Sequence, residues 1–276
     1  MRQADRALRV KALEHSEAKS FRTEPRRRLD HIGPSSEGLP FPTLLPFNDA
    51  AVDLISSCFA GRVEDVQFIA DALGSPTGSV PARCAIWGMP GLGKSQLGLK
   101  YAHSSFELRR HTHIFAISAT TVEKLTRGLT GVLELVQHPA RYNPDQSVQL
   151  TAARHCFENS EEYGFIKWLI SFDNATSETV AFLRQHLPRE NANGSILITT
   201  RTLEIAEALT TVAGQEHPIC ELKALIPADS AKLLLTRAGI HSSAPADLES
   251  AQKLVQRIGC LTARGNYWAF YITAGW

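Results

Sequence analysis

The stretch GMPGLGKS, residues 88–95, limits what this chain can fold into more than any other part of it. It fits the pattern G-x-x-x-x-G-K-[ST], after the strand-like run ARCAIW (82–87) and before the helical KSQLGLKYA, which is the context that pattern requires. Gly88, Gly91 and Gly93 let the backbone turn its N–H groups toward one point, where side chains would block close approach. The start of the following helix adds partial positive charge there. Lys94 reaches terminal phosphates as a point charge and Ser95 offers a hydroxyl to Mg²⁺. Met89, Pro90, Leu92 and Gln96 complete the loop and the first helical turn. The expectation is a loop that cradles a nucleoside phosphate.

Short apolar runs alternate with helical patterns beyond the loop. The strand candidates are 82–87, HIFAIS (113–118), KWLISFD (167–173), GSILITT (194–200) and PICEL (218–222). Each is nearly continuous in apolarity, as a strand covered on both faces should be. Between them, Val122, Leu125, Leu129, Val132, Leu133 and Val136 recur at helical spacing, as do Val180, Leu183 and Leu187, then Ala206, Leu209 and Ala213. This alternation predicts an α/β fold: a parallel sheet with helices on both faces, joined by right-handed crossovers. After Leu222 only helices follow. PADSAKLLLTRAG ends at Gly239, and PADLESAQKLVQRIG places Leu248, Leu254, Val255 and Ile258 on one stripe before Gly259. Two helices cannot close a core alone, so they are expected to pack on the sheet domain. Before Pro46 the chain is polar, then rich in Pro, Gly and Ser, with the basic run Arg26–Arg28. Residues 1–46 read as a disordered or linker-like tail, 47–222 as the nucleotide-binding domain and 223–276 as a partial helical subdomain.

Two further strand ends carry candidate chemistry. The run WLISFDN supplies Asp173, an acid suited to holding the hydration shell of Mg²⁺; by itself an Asp there could equally serve as a turn or helix cap, and the loop is what favours the metal role. Asn174 follows where an acid could have acted as base, and an amide cannot take a proton, so rapid hydrolysis lacks its obvious base. A strand GSILITT inserted between the loop strand and the metal strand would put Thr200 and Arg201 at its carboxyl end, facing a γ-phosphate. A planar guanidinium pairs with phosphate oxygens in a fixed geometry, although an Arg after a strand is more often merely solvated. His103, His111 and His113 have no metal spacing and are assigned to packing or surface.

Composition excludes other classes. A net charge of +1 gives no whole-chain reason to expect nucleic acid or membrane. Cys58, Cys84, Cys156, Cys220 and Cys260 are scattered without a C-x-x-C pair, which predicts free thiols in a reducing compartment. No run reaches the roughly 20 apolar residues of a membrane helix, and no signal-peptide core follows Met1, so cytoplasm is the expectation.

These motifs in this order, led in by FAGRVEDVQFIADAL, resemble the NB-ARC family of STAND-type signal-transduction ATPases, in the versions abundant in fungal NOD-like receptors. The lead-in maps to Phe59, Gly61, Arg62, Ile69 and Leu73, and the likeness runs from Phe59 to about Gly259. The resemblance implies a three-layer P-loop NTPase fold with a five-stranded parallel sheet of order 5-1-4-3-2, followed by a short all-α segment. It implies ADP or ATP with Mg²⁺ as the ligand, backbone contact to adenine around Gly61 and Arg62, γ-phosphate reading by Arg201, and exchange of ADP for ATP to drive self-oligomerisation or engagement of a signalling partner. Lys94, Asp173 and Arg201 would carry any slow hydrolysis. The chain departs from the family at its end: IGCLTARGNYWAFYITAGW has Thr262 where the family has a base-packing proline, and its aromatic tail matches nothing in the family. The expectation is a truncated or mis-spliced product with impaired control of exchange. Two other functions stand beside the switch. One is an active ATPase or phosphotransferase, which needs a catalytic acid and an arginine-bearing lid not evident between Tyr101 and Trp168; the other is a non-cycling interaction scaffold.

Overall fold

The computed structural model describes residues 44–59, 61–74, 78–212, 214–240 and 245–257. The expected tail lies outside them up to residue 43, and so do Ile258, Gly259, Thr262 and the aromatic tail.

Apolar continuity in the strand candidates translates into burial on both faces. Strands β1 (Phe47–Asn48), β2 (Ala82–Trp87), β3 (His113–Ser118), β4 (Trp168–Ala175), β5 (Gly194–Thr200) and β8 (Ile219–Glu221) form one sheet of order β1-β3-β4-β5-β2-β8, with every pair parallel. All seven residues of β5 are buried. The five expected strands therefore stand in the order 5-1-4-3-2, with β5 between the loop strand and the metal strand. The sixth strand, β1, extends the edge beside β3, pairing Phe47 with His113 and Asn48 with Ile114. Two residues are too few to show a period, which is why the sequence pattern omits it. Its hold comes from packing: the Phe47 ring stands edge-on to Phe115 at 5.1 Å between centroids. A separate two-stranded hairpin joins β6 (Thr211–Val212) to β7 (Gln215–Glu216).

Helices cover both faces. On one lie α1 (Val63–Gly74) and α2 (Lys94–Glu107), whose Ile69, Leu73, Leu97 and Tyr101 share a core with Cys84, Ile86 and Leu197 of the sheet. On the other lie α3 (Val122–Leu135), α4 (Gln146–Glu158), α5 (Ser177–His186) and α6 (Leu203–Thr210), which bury Leu133, Phe157, Leu183 and Leu209 against Phe115, Trp168, Ile170 and Ile198. The result is three layers with a core on each side of the sheet. Trp168 shows how tightly the second core closes, since its ring lies where a Cβ on Gly194 would be 2.0 Å from Cζ2. Helix α4 is an element the expected pattern lacked. It buries Leu150, Ala153, Cys156 and Phe157, and Asp145 caps it by accepting from Ser147 N at 2.8 Å.

Two more helices, α7 (Pro227–Arg237) and α8 (Pro245–Arg257), follow the sheet. Ala231 and Leu234 of α7 close a small cluster with Ala251 and Val255 of α8, and Leu248 and Leu254 pack against it as their spacing predicts. Gly239 ends α7 with φ of 70°, the left-handed conformation expected of a helix-stopping glycine. Cys58, Cys84, Cys156 and Cys220 are free thiols. Among the described residues no helix is long and apolar enough to cross a membrane.

Candidate functional site

The loop between β2 and α2 follows from its glycines. Gly88, Gly91 and Gly93 have φ of 150°, 85° and 91°. At Gly88 the constraint is also spatial: a Cβ there would be 2.7 Å from the carbonyl oxygen of Leu222. That residue is held in place by its own N–H, which donates to Trp87 O at 2.8 Å. Gly93 is the N-cap of α2, and no side chain caps the first turn, so the positive end of the helix faces the loop.

Lys94 begins the helix and is only 9% exposed. Its Nζ donates to Gly88 O at 2.6 Å and to Met89 O at 2.9 Å, so the ammonium sits inside the curve of the loop. Burial lowers its pKa, and the nearby Arg201 lowers it further, against the opposing pull of Asp173. Loop, strand-end arginine and strand-end acid therefore share one electrostatic environment. Ser95 Oγ donates to Asp173 Oδ1 at 2.8 Å, and Thr199 Oγ1 donates to the same oxygen at 2.7 Å.

The position of Asp173 depends on its neighbour. Asn174 has φ of 60° and interrupts the pairing of β4 with β5 between Phe172 and Ala175. Its N–H donates to Thr199 Oγ1 at 2.8 Å. Asn tolerates the left-handed region better than most residues, so Asn174 has a conformational reason to be there beyond the missing base. β4 runs two residues past the expected end because pairing resumes at Ala175.

Strand alternation separates the expected Thr200 from its neighbour Thr199. Thr200 is fully buried and donates to Ala175 O at 2.9 Å, away from the phosphate loop, while Thr199 takes the place facing Asp173. Residues i and i+1 of a strand point to opposite faces, so a strand end can offer only one of two adjacent threonines to one side. Thr199 was legible in the same GSILITT run once the face of Ser171 and Asp173 was chosen. Arg201, just beyond the strand, does line the cleft.

That cleft has a volume of about 680 Å³ and brings together Arg62, Pro90, Gly91, Leu92, Gly93, Lys94, Ser95, Gln96, Asp173 and Arg201 of the expected set. Gly61, Gly88, Met89 and Thr200 are not on its lining. Gly88 and Met89 contribute the carbonyls that hold Lys94, and the Met89 side chain is 66% exposed. Gly61 and Arg62 have consecutive positive φ values of 67° and 65°. Arg62 clamps the loop by donating to Leu92 O at 3.0 Å and pairs with Asp65 at 3.2 Å. Gly61 lies against α7, where a Cβ would be 2.9 Å from Asp229 Oδ2. Gln96 ties the lead-in segment to α2, accepting from Ser56 N at 2.8 Å and donating to Leu54 O at 3.0 Å.

Sequence reasoning missed the cleft's other walls. Leu54, Phe59, Leu225 and Leu233 add apolar lining, and Ser56, Thr120 and Arg237 add polar groups. Only proximity in the fold unites these positions, which lie in the lead-in, after β3 and in or before α7. Asp173 is the one carboxylate among the described residues that line the cleft. The donors suit a magnesium-bound phosphate: a hydroxyl and a carboxylate are hard oxygen ligands, and Mg²⁺ takes few protein ligands alongside water and phosphate oxygens. No group of three or more His, Cys, Asp or Glu among the described residues could hold a metal by itself. His111 and His113 are buried, as a packing role requires.

No protein-family model matches the chain, and no curated protein matches it in sequence. Among solved structures it is similar to Cdc6p from Pyrobaculum aerophilum, at 11% identity over 78% of this chain and 68% of that one, with a TM-score of 0.46. It is similar also to the Aeropyrum pernix ORC2 protein, solved as ADPNP–ADP complexes, at 14% identity over 82% of this chain and 72% of that one, with a TM-score of 0.49. The P-loop NTPase fold stands on the chain's own sheet order, its inserted β5 and its glycine loop.

Proposed function

We propose that the chain is an adenine-nucleotide switch of the NB-ARC type, which binds ADP or ATP with Mg²⁺ and hydrolyses slowly if at all. The observation that carries this reading is a loop lysine and a strand-end arginine lining one cleft whose one carboxylate among the described residues, Asp173, is already engaged by Ser95 and Thr199. Lys94, released from its two loop carbonyls, would hold terminal phosphate oxygens. The uncapped first turn of α2 would add partial positive charge to the same anion. Ser95 and Asp173 would hold Mg²⁺, which supplies charge neutralisation between phosphates when bound. Leu54, Phe59, Leu225 and Leu233 offer apolar surface for a base, beside the strained Gly61–Arg62 pair.

A switch needs differential affinity for its two ligands. Arg201 is the group suited to provide it, since it follows the last residue of β5, lines the same cleft as the loop and carries a fork of donors. An efficient hydrolase would need a second acid or another base to activate water, and the lining offers Asn174 and Thr120 instead. The test is to denature freshly purified chain and identify what is released, then to titrate the stripped chain with ADP and ATP at varied magnesium. Stoichiometric adenine nucleotide supports the reading. A chain that binds no adenine nucleotide at any magnesium concentration, or one that turns over ATP faster than about one per minute, overturns it.

A further inference from the structure

Arg237 enters the cleft from outside the three layers. It sits in the last turn of α7 and lines the cleft together with Lys94 and Arg201. Its guanidinium donates to Ser56 Oγ at 3.0 Å through one Nη. Its Nε is buried without a hydrogen-bond partner among the described residues, and none of the ion pairs among those residues includes it. A guanidinium has five donors in a rigid fork and keeps its charge at any ordinary pH. Holding it in a cleft that two other cations line, with a neutral hydroxyl as acceptor and one donor orphaned, is unfavourable unless something anionic completes the set.

We propose that Arg237 is a third phosphate-binding cation of the cleft, supplied by the helical segment, so that a nucleoside diphosphate fastens α7 to the sheet layers. This rests on the nucleotide-binding reading above and adds to it the residue by which the helical segment takes hold of the ligand. Ser56 is the resting partner of the guanidinium. Its backbone N–H donates to Gln96 Oε1 in the first turn of α2, so two hydrogen bonds through Ser56 link Arg237 to the helix that the phosphate loop opens. The apolar neighbours Leu225 and Leu233 line the same wall and belong to the same stretch of chain, so a ligand that meets Arg237 also meets them.

The experiment uses the full chain as wild type, Arg237→Ala and Ser56→Ala. ADP and adenosine affinities are measured for each, and amide hydrogen exchange over 227–257 is followed with and without ADP. Arg237→Ala is expected to weaken ADP by about tenfold or more while adenosine changes little, because a charge-assisted contact to phosphate is lost and the base contacts remain. ADP should slow exchange in 227–257 of wild type and fail to do so in that variant. Ser56→Ala is expected to tighten ADP by about threefold, since the guanidinium no longer gives up a hydroxyl. A role as a mere brace predicts the opposite, namely equal weakening in both variants. The proposal is overturned if Arg237→Ala loses ADP and adenosine in the same ratio, if ADP protects 227–257 without the guanidinium, or if Ser56→Ala binds ADP no tighter than wild type. Should Arg237→Ala fail to fold by far-ultraviolet circular dichroism, Ser56→Ala decides alone. Wild type that binds no adenine nucleotide defeats the parent reading as well, whereas wild-type binding that Arg237→Ala matches defeats this proposal only.

Discussion

Replacing Lys94 with methionine separates binding from stability in this site. The side chain keeps its length and loses its charge, and with it the two bonds to Gly88 O and Met89 O at 2.6 and 2.9 Å. Each hydrogen bond to a charged group is worth about 1.5–3 kcal/mol to the folded chain. Against that, Lys94 is only 9% exposed and its ammonium donates to carbonyls rather than to a carboxylate, so removing it also removes a desolvation cost of similar size. Stability should therefore move by no more than about 1 kcal/mol, and a thermal midpoint by a few degrees. Binding has no such compensation. The phosphates lose a charge-assisted contact worth about 3 kcal/mol, which is about 150-fold in Kd for ADP. Calorimetric titration and thermal unfolding of the same preparation give both numbers. An ADP affinity within threefold of wild type, in a chain that unfolds normally, would refute the phosphate role of the lysine.

Arg201→Ala should leave ADP affinity within about threefold and weaken ATP by tenfold or more, measured by competition titration; equal losses for the two nucleotides would remove its sensor role. Gly194→Ala puts a methyl 2.0 Å from the Trp168 ring, and because that ring is fully buried with little room to give, unfolding in urea should show a loss of about 3 kcal/mol or more, which a midpoint near wild type would contradict. Burial, followed by Arg110 and Lys167, pushes His111 down from 6.5 to about 4. The unfolded chain then binds more protons than the folded one between those values, so this residue's contribution to stability is fully present above about pH 6.5 and is lost as pH falls toward 4, by about 3 kcal/mol. His111→Gln should flatten unfolding free energy against pH in that window, and an unchanged slope would count against it.

The layers were legible because burial on both faces leaves a mark on every central strand, and the phosphate loop because only glycine serves at its turns. The strand inserted between loop and metal strands came from motif order and matches the pairing of β5 with both β2 and β4. What escaped had weaker or non-local signals. β1 is too short for a period. Helix α4 has an N-cap at Asp145 and apolar residues at Leu150, Ala153 and Phe157, but polar residues interrupt its stripe. Thr199 carries no mark in sequence that sets it apart from Thr200, and the bulge at Asn174 beside Asp173 is invisible until β4 is paired. The contribution of Ser56, Leu233 and Arg237 to one wall depends on contacts 181 residues apart in sequence, such as that between Arg237 and Ser56, which no periodicity encodes.

Asp173 Oδ1 accepts from a helix on one side and a strand on the other. A divalent cation drawn to that atom would compete with both hydroxyl groups at once, so the start of α2 and the end of β5 would answer to a single ligand. In the proposed switch, then, grip on magnesium would be felt by helix and strand together, while Arg201, the residue after β5, would read the triphosphate separately.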